Sequence, residues 1–141
     1  MGFDIDLFRD LLVLLGADTP FVTDDDGGIT CDGISFDAIC QALTDYRREA
    51  IFQAVQILSD GGYIDATIDW ADNELHVCHV NYMTFAGYEL LEKIKDSKRW
   101  QTVKSGLSAV KNYSITAIEA IASGITTAAI SAYLARGNSQ P

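Results

Sequence analysis

The chain is short of what several chemistries need. Its 141 residues contain two prolines and three cysteines. Cys31, Cys40 and Cys78 form no CxxC pair, and so sparse and odd a set suits a reducing compartment better than a disulfide scaffold. Bases are scarce over the first two-thirds, where Met1 to Glu92 holds 18 acids against 3 bases, a balance of −15. A surface of that sign repels the phosphates of nucleic acid. Neither a GxxxxGK[ST] nor a GxGxxG loop occurs, so the usual nucleotide cradles are missing. The opening residues lack a basic-then-apolar run with a small-residue cleavage site, so a cytoplasmic protein is expected rather than a secreted one.

What is present is ordinary for one folded domain: 48% hydrophobic and 21% charged residues, with a net charge of −10. The charge is uneven, because Lys93 to Pro141 carries 7 bases and 2 acids, a balance of +5. Any nucleic-acid contact therefore falls to that second part.

Helical spacing of Phe3, Ile5, Phe8, Leu7, Leu11, Leu14 and Leu15 predicts a first helix over about residues 4–15, with Asp4 and Asp6 complementing its dipole. Gly16 and Pro20 mark its end. Asp24-Asp25-Asp26-Gly27-Gly28 reads as an acidic loop. It is no EF-hand, because Ile29 and Ser35 occupy the sixth and twelfth places where glycine and glutamate belong. Ile29–Cys31 reads as a short strand with Asp32-Gly33 as its turn. Ser35 caps an expected helix over 36–43, and a second runs over about 46–59 on the stripe Ala50, Ile51, Ala54, Val55 and Leu58. Asp60-Gly61-Gly62 stops it. Two helices on a short turn, the second leading into a strand, fit a helix-turn-helix.

Ile64, Ala66, Ile68 and Trp70 alternate with Asp65, Thr67 and Asp69, which marks a half-buried strand. Ala71-Asp72-Asn73-Glu74 turns the chain, and 75–82 returns it. Thr84 caps a helix expected over 85–96, and Ser97 another, whose apolar face is Trp100, Val103, Leu107 and Val110. Ser114 opens a last helix expected over 115–134, where Glu119 is the sole charge. Ala120, Gly124, Ala128 and Ala132 form a ridge of small residues along it, flanked by Ile121 and Ile125, suited to close helix–helix approach. Residues 137–141 form a tail.

These pieces resemble a known family. Asp6-Leu7-Phe8-Arg9-Asp10-Leu11-Leu12, the run Ala54 to Ile64 ending Asp60-Gly61-Gly62-Tyr63-Ile64, and Met83-Thr84-Phe85-Ala86-Gly87-Tyr88-Glu89-Leu90-Leu91 followed by Trp100 and Val103-Lys104 are similar to bacterial and phage-borne proteins grouped as domain of unknown function 2513. Ser114-Ile115-Thr116-Ala117-Ile118 resembles the opening of that family's final helix. Phe85 and Tyr88 stand where the family usually has Trp and His. The resemblance implies a winged-helix character and no catalytic residues.

The expected fold is α+β: a winged helix-turn-helix core with a two-stranded wing over 1–112, an apolar C-terminal helix over 113–136 for packing or oligomerisation, and the tail. The expected function is a non-enzymatic interaction module of phage-linked or defence type, acting as a homo-oligomer or with another protein. The alternative is a DNA-binding regulator using Arg47, Arg48, Gln53 and Gln56 of the second motif helix, with Lys93, Lys95, Lys98, Arg99 and Lys104 behind the wing. Acidic neighbours Asp45, Glu49 and Asp60, and an acidic wing tip of Asp69, Asp72 and Glu74, argue against it. A third reading is membrane association through 115–134, which is long enough to cross a bilayer but carries Thr116, Ser123, Thr126, Thr127 and Ser131. His76-Val77-Cys78-His79 is a poor metal set, because neighbouring strand residues face opposite ways and a zinc site wants four ligands. No metal or cofactor is expected.

Overall fold

The structure, a computed structural model, describes residues 4–124. Among them it is a mixed α+β protein of six helices and two small antiparallel sheets. The described chain divides into two units, one over Asp4–Leu91 and one holding the residues from Glu92 onward.

The first unit opens with α1, Ile5–Gly16. Asp4 is its N-cap, and its carboxylate accepts the amides of Asp6 at 3.0 Å and Leu7 at 3.1 Å. The buried positions are Leu7, Phe8, Leu11 and Leu12. The stripe is rotated from the expected one: Leu14 and Leu15 are only half-buried, and Val13 is exposed. Phe3 lies outside the described residues. Gly16 is the last helical residue rather than a left-handed stop, and a Cβ there would collide with the Leu91 side chain.

The short strand expected at Ile29–Cys31 forms, and two more, Phe21–Thr23 and Ile34–Ser35, were not expected. β1, Phe21–Thr23, pairs with β2, Ile29–Cys31, so the acidic loop is the turn of a small hairpin. Asp24 builds that turn, its Oδ1 accepting the amides of Asp26 and Gly28 at 3.0 and 2.7 Å. β3, Ile34–Ser35, joins the larger sheet and leads directly into α2, Phe36–Ala42. Ser35 caps α2 through its hydroxyl, which accepts the Ala38 amide at 3.2 Å. Five residues later α3, Arg48–Asp60, buries Ile51, Ala54, Val55 and Leu58. The Tyr46 hydroxyl, just before α3, donates to Asp10 of α1 at 2.6 Å.

α3 closes as a Schellman motif: Gly62 sits at φ +81°, its amide bonds to Ser59 O at 3.1 Å and the Tyr63 amide to Leu58 O at 2.9 Å. The chain then runs into β4, Ile64–Ala71, turns at Asp72-Asn73, and returns as β5, Glu74–Met83. Both turn residues have positive φ, 53° and 66°, as a two-residue hairpin turn of type I′ requires. The sheet order is β3-β5-β4, all antiparallel. α4, Phe85–Ile94, follows, and its buried Leu90 and Leu91 complete this unit.

Thr84 and Gly87 lock the hairpin's open end to the end of α3. The Thr84 hydroxyl donates to Gly62 O at 2.6 Å and accepts the Gly87 amide at 3.2 Å, while the Thr84 amide donates to Tyr63 O at 3.1 Å. Gly87 lies so close to the Tyr63 carbonyl that no Cβ fits.

The second unit contains α5, Ser97–Val110, and α6, Ile115–Ala122. Asp96, not Ser97, caps α5, accepting the Lys98 amide at 2.8 Å. Aspartate provides an acceptor that also opposes the helix dipole, which a serine hydroxyl does not. Trp100, Val103 and Leu107 are buried on the expected face, and Val110 is half-buried. Ser114 caps α6 as expected. The uninterrupted helix expected over 115–134 does not form, because α6 ends at Ala122 and Gly124 turns left-handed at φ +87°, its amide bonding to Ile121 O at 3.0 Å. Residues 125–134 of that stretch lie outside the described ones. No helix among the described residues is long and apolar enough to cross a membrane.

The clamp predicts unequal costs at its two ends. Gly87→Ala should lower unfolding free energy by about 1–3 kcal/mol through overpacking. Thr84→Ala should cost about 1 kcal/mol for the lost cap, and Thr84→Ser should cost less. Denaturant midpoints measured at constant slope check both; a neutral Gly87→Ala would contradict the close approach.

Candidate functional site

The β4–β5 hairpin sorts its residues strictly by face. Ile64, Ala66 and Ile68 turn inward, while Asp65, Thr67 and Asp69 are exposed. Thr67 pairs with His79 and Asp69 with Val77 on the returning strand, and register shifts interrupt the ladder after Asp65 and after Asp69. The Asn81 side-chain amide donates to Asp65 Oδ2 at 2.9 Å and to Thr67 Oγ1 at 3.0 Å, so the outer face is organised rather than loose. From Glu49 to Glu92 there is no lysine or arginine, and eight acids.

Trp70 ends β4 on the inner side of the alternation yet is 55% exposed. It meets Phe52 of α3 edge-on at 5.5 Å, and Phe52 meets Phe36 of α2 edge-on at 5.9 Å. The Arg48 guanidinium caps this row, 4.9 Å from the centre of the Phe36 ring.

The residues proposed to touch DNA are scattered and largely engaged. Arg47 pairs with Glu49 at 2.8 Å, and Arg48 with Asp37 at 3.0 Å. Gln56 donates to Asp60 at 3.2 Å, while Gln53 is exposed. In the second unit Lys95 pairs with Glu92 at 2.7 Å, and Arg99 donates to Ala122 O at 3.2 Å, closing the C-terminus of α6. Lys98 is exposed; Lys93 and Lys104 are half-buried. A phosphate-binding face needs several bases free to release counterions together, and each of the four pairs just described satisfies its base within the chain.

The ridge fares differently at its two described positions. Ala120 is half-buried on α6, and Gly124 lies beyond the helix end. Ile121 packs over Gly106 of α5, where a Cβ would come within 2.9 Å of it. Ile125, Ala128 and Ala132 lie outside the described residues.

Nucleophile and metal chemistry find little support in the geometry. Burial pushes the Cys78 thiol up to about 11, with Cys40 adding to it, and burial also raises Cys40. Thiolate is the reactive form, so a raised pKa suppresses attack at neutral pH. The His79 Nε2 sits 2.6 Å from the Asp32 carbonyl, which it meets as an N–H donor and which makes it a strut for the Asp32-Gly33 turn. Among the described residues no group of three or more His, Cys, Asp or Glu is placed to hold a metal ion. A cavity of about 240 Å³ lies between the end of α1 and β5, lined by Leu14, Leu15, Pro20, Ile34, Val80 and Met83 among others. It is smaller than the usual small-molecule site of roughly 300–1,000 Å³, whereas two more open hollows, about 380 Å³ beside Arg48 and His76–His79 and about 420 Å³ beside Cys40 and Tyr46, lie within that range.

Sequence reasoning missed the β1–β2 hairpin and the apolar side chains it exposes: Phe21, Val22 and Ile29. Phe21 lies over Tyr82 of β5 with ring centres 6.0 Å apart. The signal was available, since two short β-prone runs, Phe21-Val22-Thr23 and Ile29-Thr30-Cys31, flank a glycine-bearing acidic turn.

A family profile described as Hypothetical protein (DUF2513) matches residues 3–114. No curated protein matches, and no solved structure does.

The thiols supply a direct check. Exposed Cys31 should be alkylated first by iodoacetamide, and the rate at Cys78 should keep rising with pH until close to 11. A Cys78 rate that levels off below pH 9 would show an activated thiol and reopen covalent chemistry.

Proposed function

The chain belongs to the family described as Hypothetical protein (DUF2513), and from that premise we propose that it is a non-enzymatic winged-helix protein acting as an interaction and oligomerisation module. The winged-helix reading draws support from element order. Once the small β1–β2 hairpin that is inserted after α1 is set aside, a helix, a strand, two helices and a hairpin come in the order α1, β3, α2, α3, β4 and β5, with β3 paired to the returning strand. The phage or defence setting of such a module is analogy with the family resemblance, and fold alone does not carry function.

The observation that carries the module reading is the outer surface of the hairpin. It carries exposed Asp65, held by Asn81, and exposed Asp69, with Trp70 exposed on the opposite side of the same strand and no lysine or arginine in the chain from Glu49 to Glu92. Acids and an accessible aromatic suit a protein partner and repel a phosphate backbone. Self-association draws on the C-terminal stretch instead. Residues 125–134 contain no charged side chain, and so apolar a run is covered by protein in a stable assembly.

DNA regulation is the weaker reading, because Arg47, Arg48 and Gln56, the would-be contacts at α3, are each tied to a neighbouring carboxylate.

Two measurements check this reading. Sedimentation should show the full chain self-associating and a chain ending after Gly124, which keeps α6 whole, sedimenting as a monomer. An unchanged mass after truncation overturns oligomerisation through the C-terminal stretch. Random duplex at low salt should show no binding at high micromolar protein; binding with a steep salt dependence would favour the regulator.

A further inference from the structure

β4 is an edge strand. Its only strand partner among the described residues is β5, which leaves its other flank without a ladder over eight residues, or roughly 26 Å of extended chain. Unpaired strand edges are templates for another strand. Proteins blunt such an edge with proline, a covering segment or charged side chains; β4 has no proline, and its exposed charges are Asp65 and Asp69.

We propose that β4 takes up an extended, basic peptide segment of a partner protein by strand addition. This rests on the interaction-module reading and names its surface. Backbone hydrogen bonds to a sheet edge give affinity without sequence preference, and side chains on alternate positions give selectivity. Here the selecting side chains are Asp65 and Asp69, exposed on one face and four residues apart, with Thr67 between them. Cross-strand neighbours of opposite charge stabilise a ladder and like charges weaken it. The edge therefore selects Lys or Arg at positions i and i+4, with a small or β-branched residue at i+2. Trp70, at the end of β4 and 55% exposed, offers an aromatic surface to a flanking apolar or cationic side chain.

A second copy of this chain is the other candidate for the edge, and charge argues against it. Self-pairing of β4 gathers four aspartates from the two copies onto one sheet face, with no lysine or arginine between Glu49 and Glu92 to offset them.

The test uses the full chain and synthetic peptides of eight residues, the length of the edge. One carries lysine at i and i+4 among valine and threonine; a second replaces both lysines by glutamate; a third keeps the lysines but has a central proline. Trp70 fluorescence reports binding, since Trp100 is only 3% exposed, and backbone amide shifts locate it. The lysine peptide should bind and shift the amides of Ile64–Ala71. Asp65→Asn/Asp69→Asn should weaken it by about tenfold, and Asp69→Lys by at least as much, with unfolding midpoints unchanged. The proline and glutamate peptides should fail. Equal affinity for the double variant, equal binding of the glutamate peptide, shifts located away from β4, or no binding of the lysine peptide would each overturn the proposal. So would concentration-dependent protection of β4 amides in the protein alone, which assigns the edge to a second copy. Self-association of the same samples is read by sedimentation, so that loss of peptide binding with self-association intact removes the edge assignment and leaves the module reading standing.

Discussion

The hydroxyl of Thr84 holds the first unit's functional surface in place. It donates to the Gly62 carbonyl and accepts from the Gly87 amide, while the Thr84 backbone reaches Tyr63. Gly62 and Thr84 flank the open end of the hairpin, so these bonds fix where β4 starts and β5 stops, with Ile64 opposite Met83. Register is what decides facing in a strand: a slip of one residue sends every side chain to the other face. Without the clamp, Ile64 and Val80, both nearly fully buried, would compete with the aspartates for the core side. Glycine is needed at both ends for separate reasons. At Gly62 the backbone is left-handed, and at Gly87 the Tyr63 carbonyl leaves no room for a Cβ. Two of the segments that carried the family resemblance, the one ending at Ile64 and the one opening at Met83, are therefore one structural device at the open end of the hairpin.

Charge then separates the surfaces. In the first unit the arginines beside α3 face carboxylates of their own chain, Arg47 with Glu49 and Arg48 with Asp37. Such exposed pairs contribute little stability, about 0–1 kcal/mol each. Their consequence is electrostatic: they remove the positive charge that a helix in a major groove needs, and the remaining acids of the hairpin stand unopposed. In the second unit Arg99 does a structural task, closing α6 against the partial negative charge of its C-terminus. Arg47, Arg48, Lys95 and Arg99 are thus each engaged within the chain.

Much of this was legible in the sequence where pattern and chemistry coincide. The stripe Ile51, Ala54, Val55 and Leu58 gave α3, Ser35 and Ser114 gave their caps, and Asp72-Asn73 gave the hairpin turn. What failed to show was short or decided by tertiary contact. β3 has two residues and exists because β5 offers a partner, which no local period records. The rotated stripe of α1 depends on which side the rest of the unit lies. The stop at Gly124 was hidden because glycine also fits a small-residue ridge, and only the backbone conformation tells a packing glycine from a terminating one. For the site, alternation placed Asp65, Thr67 and Asp69 together on one face; the exposure of Trp70 and the open flank of β4 belong to the sheet order, which pairing alone reveals.

Acidic side chains on an edge strand have a protective meaning as well as a recognitive one. An eight-residue edge without proline is prone to pair with copies of itself, and like charges along it are a common defence. The defence is not neutral about partners. Repulsion that raises the free energy of self-pairing leaves backbone donors and acceptors available, and the same two carboxylates turn favourable toward a strand of opposite sign. Specificity is a difference between affinities, so under the proposed strand addition one pair of aspartates would act on both terms at once, against the copy and toward the basic segment. The C-terminal run from Ile125 to Leu134 carries no charge that could discriminate in this way. On the reading proposed above, a charged edge and an uncharged run would keep the contact with a partner and the contact between copies on separate surfaces, each governed by a different force.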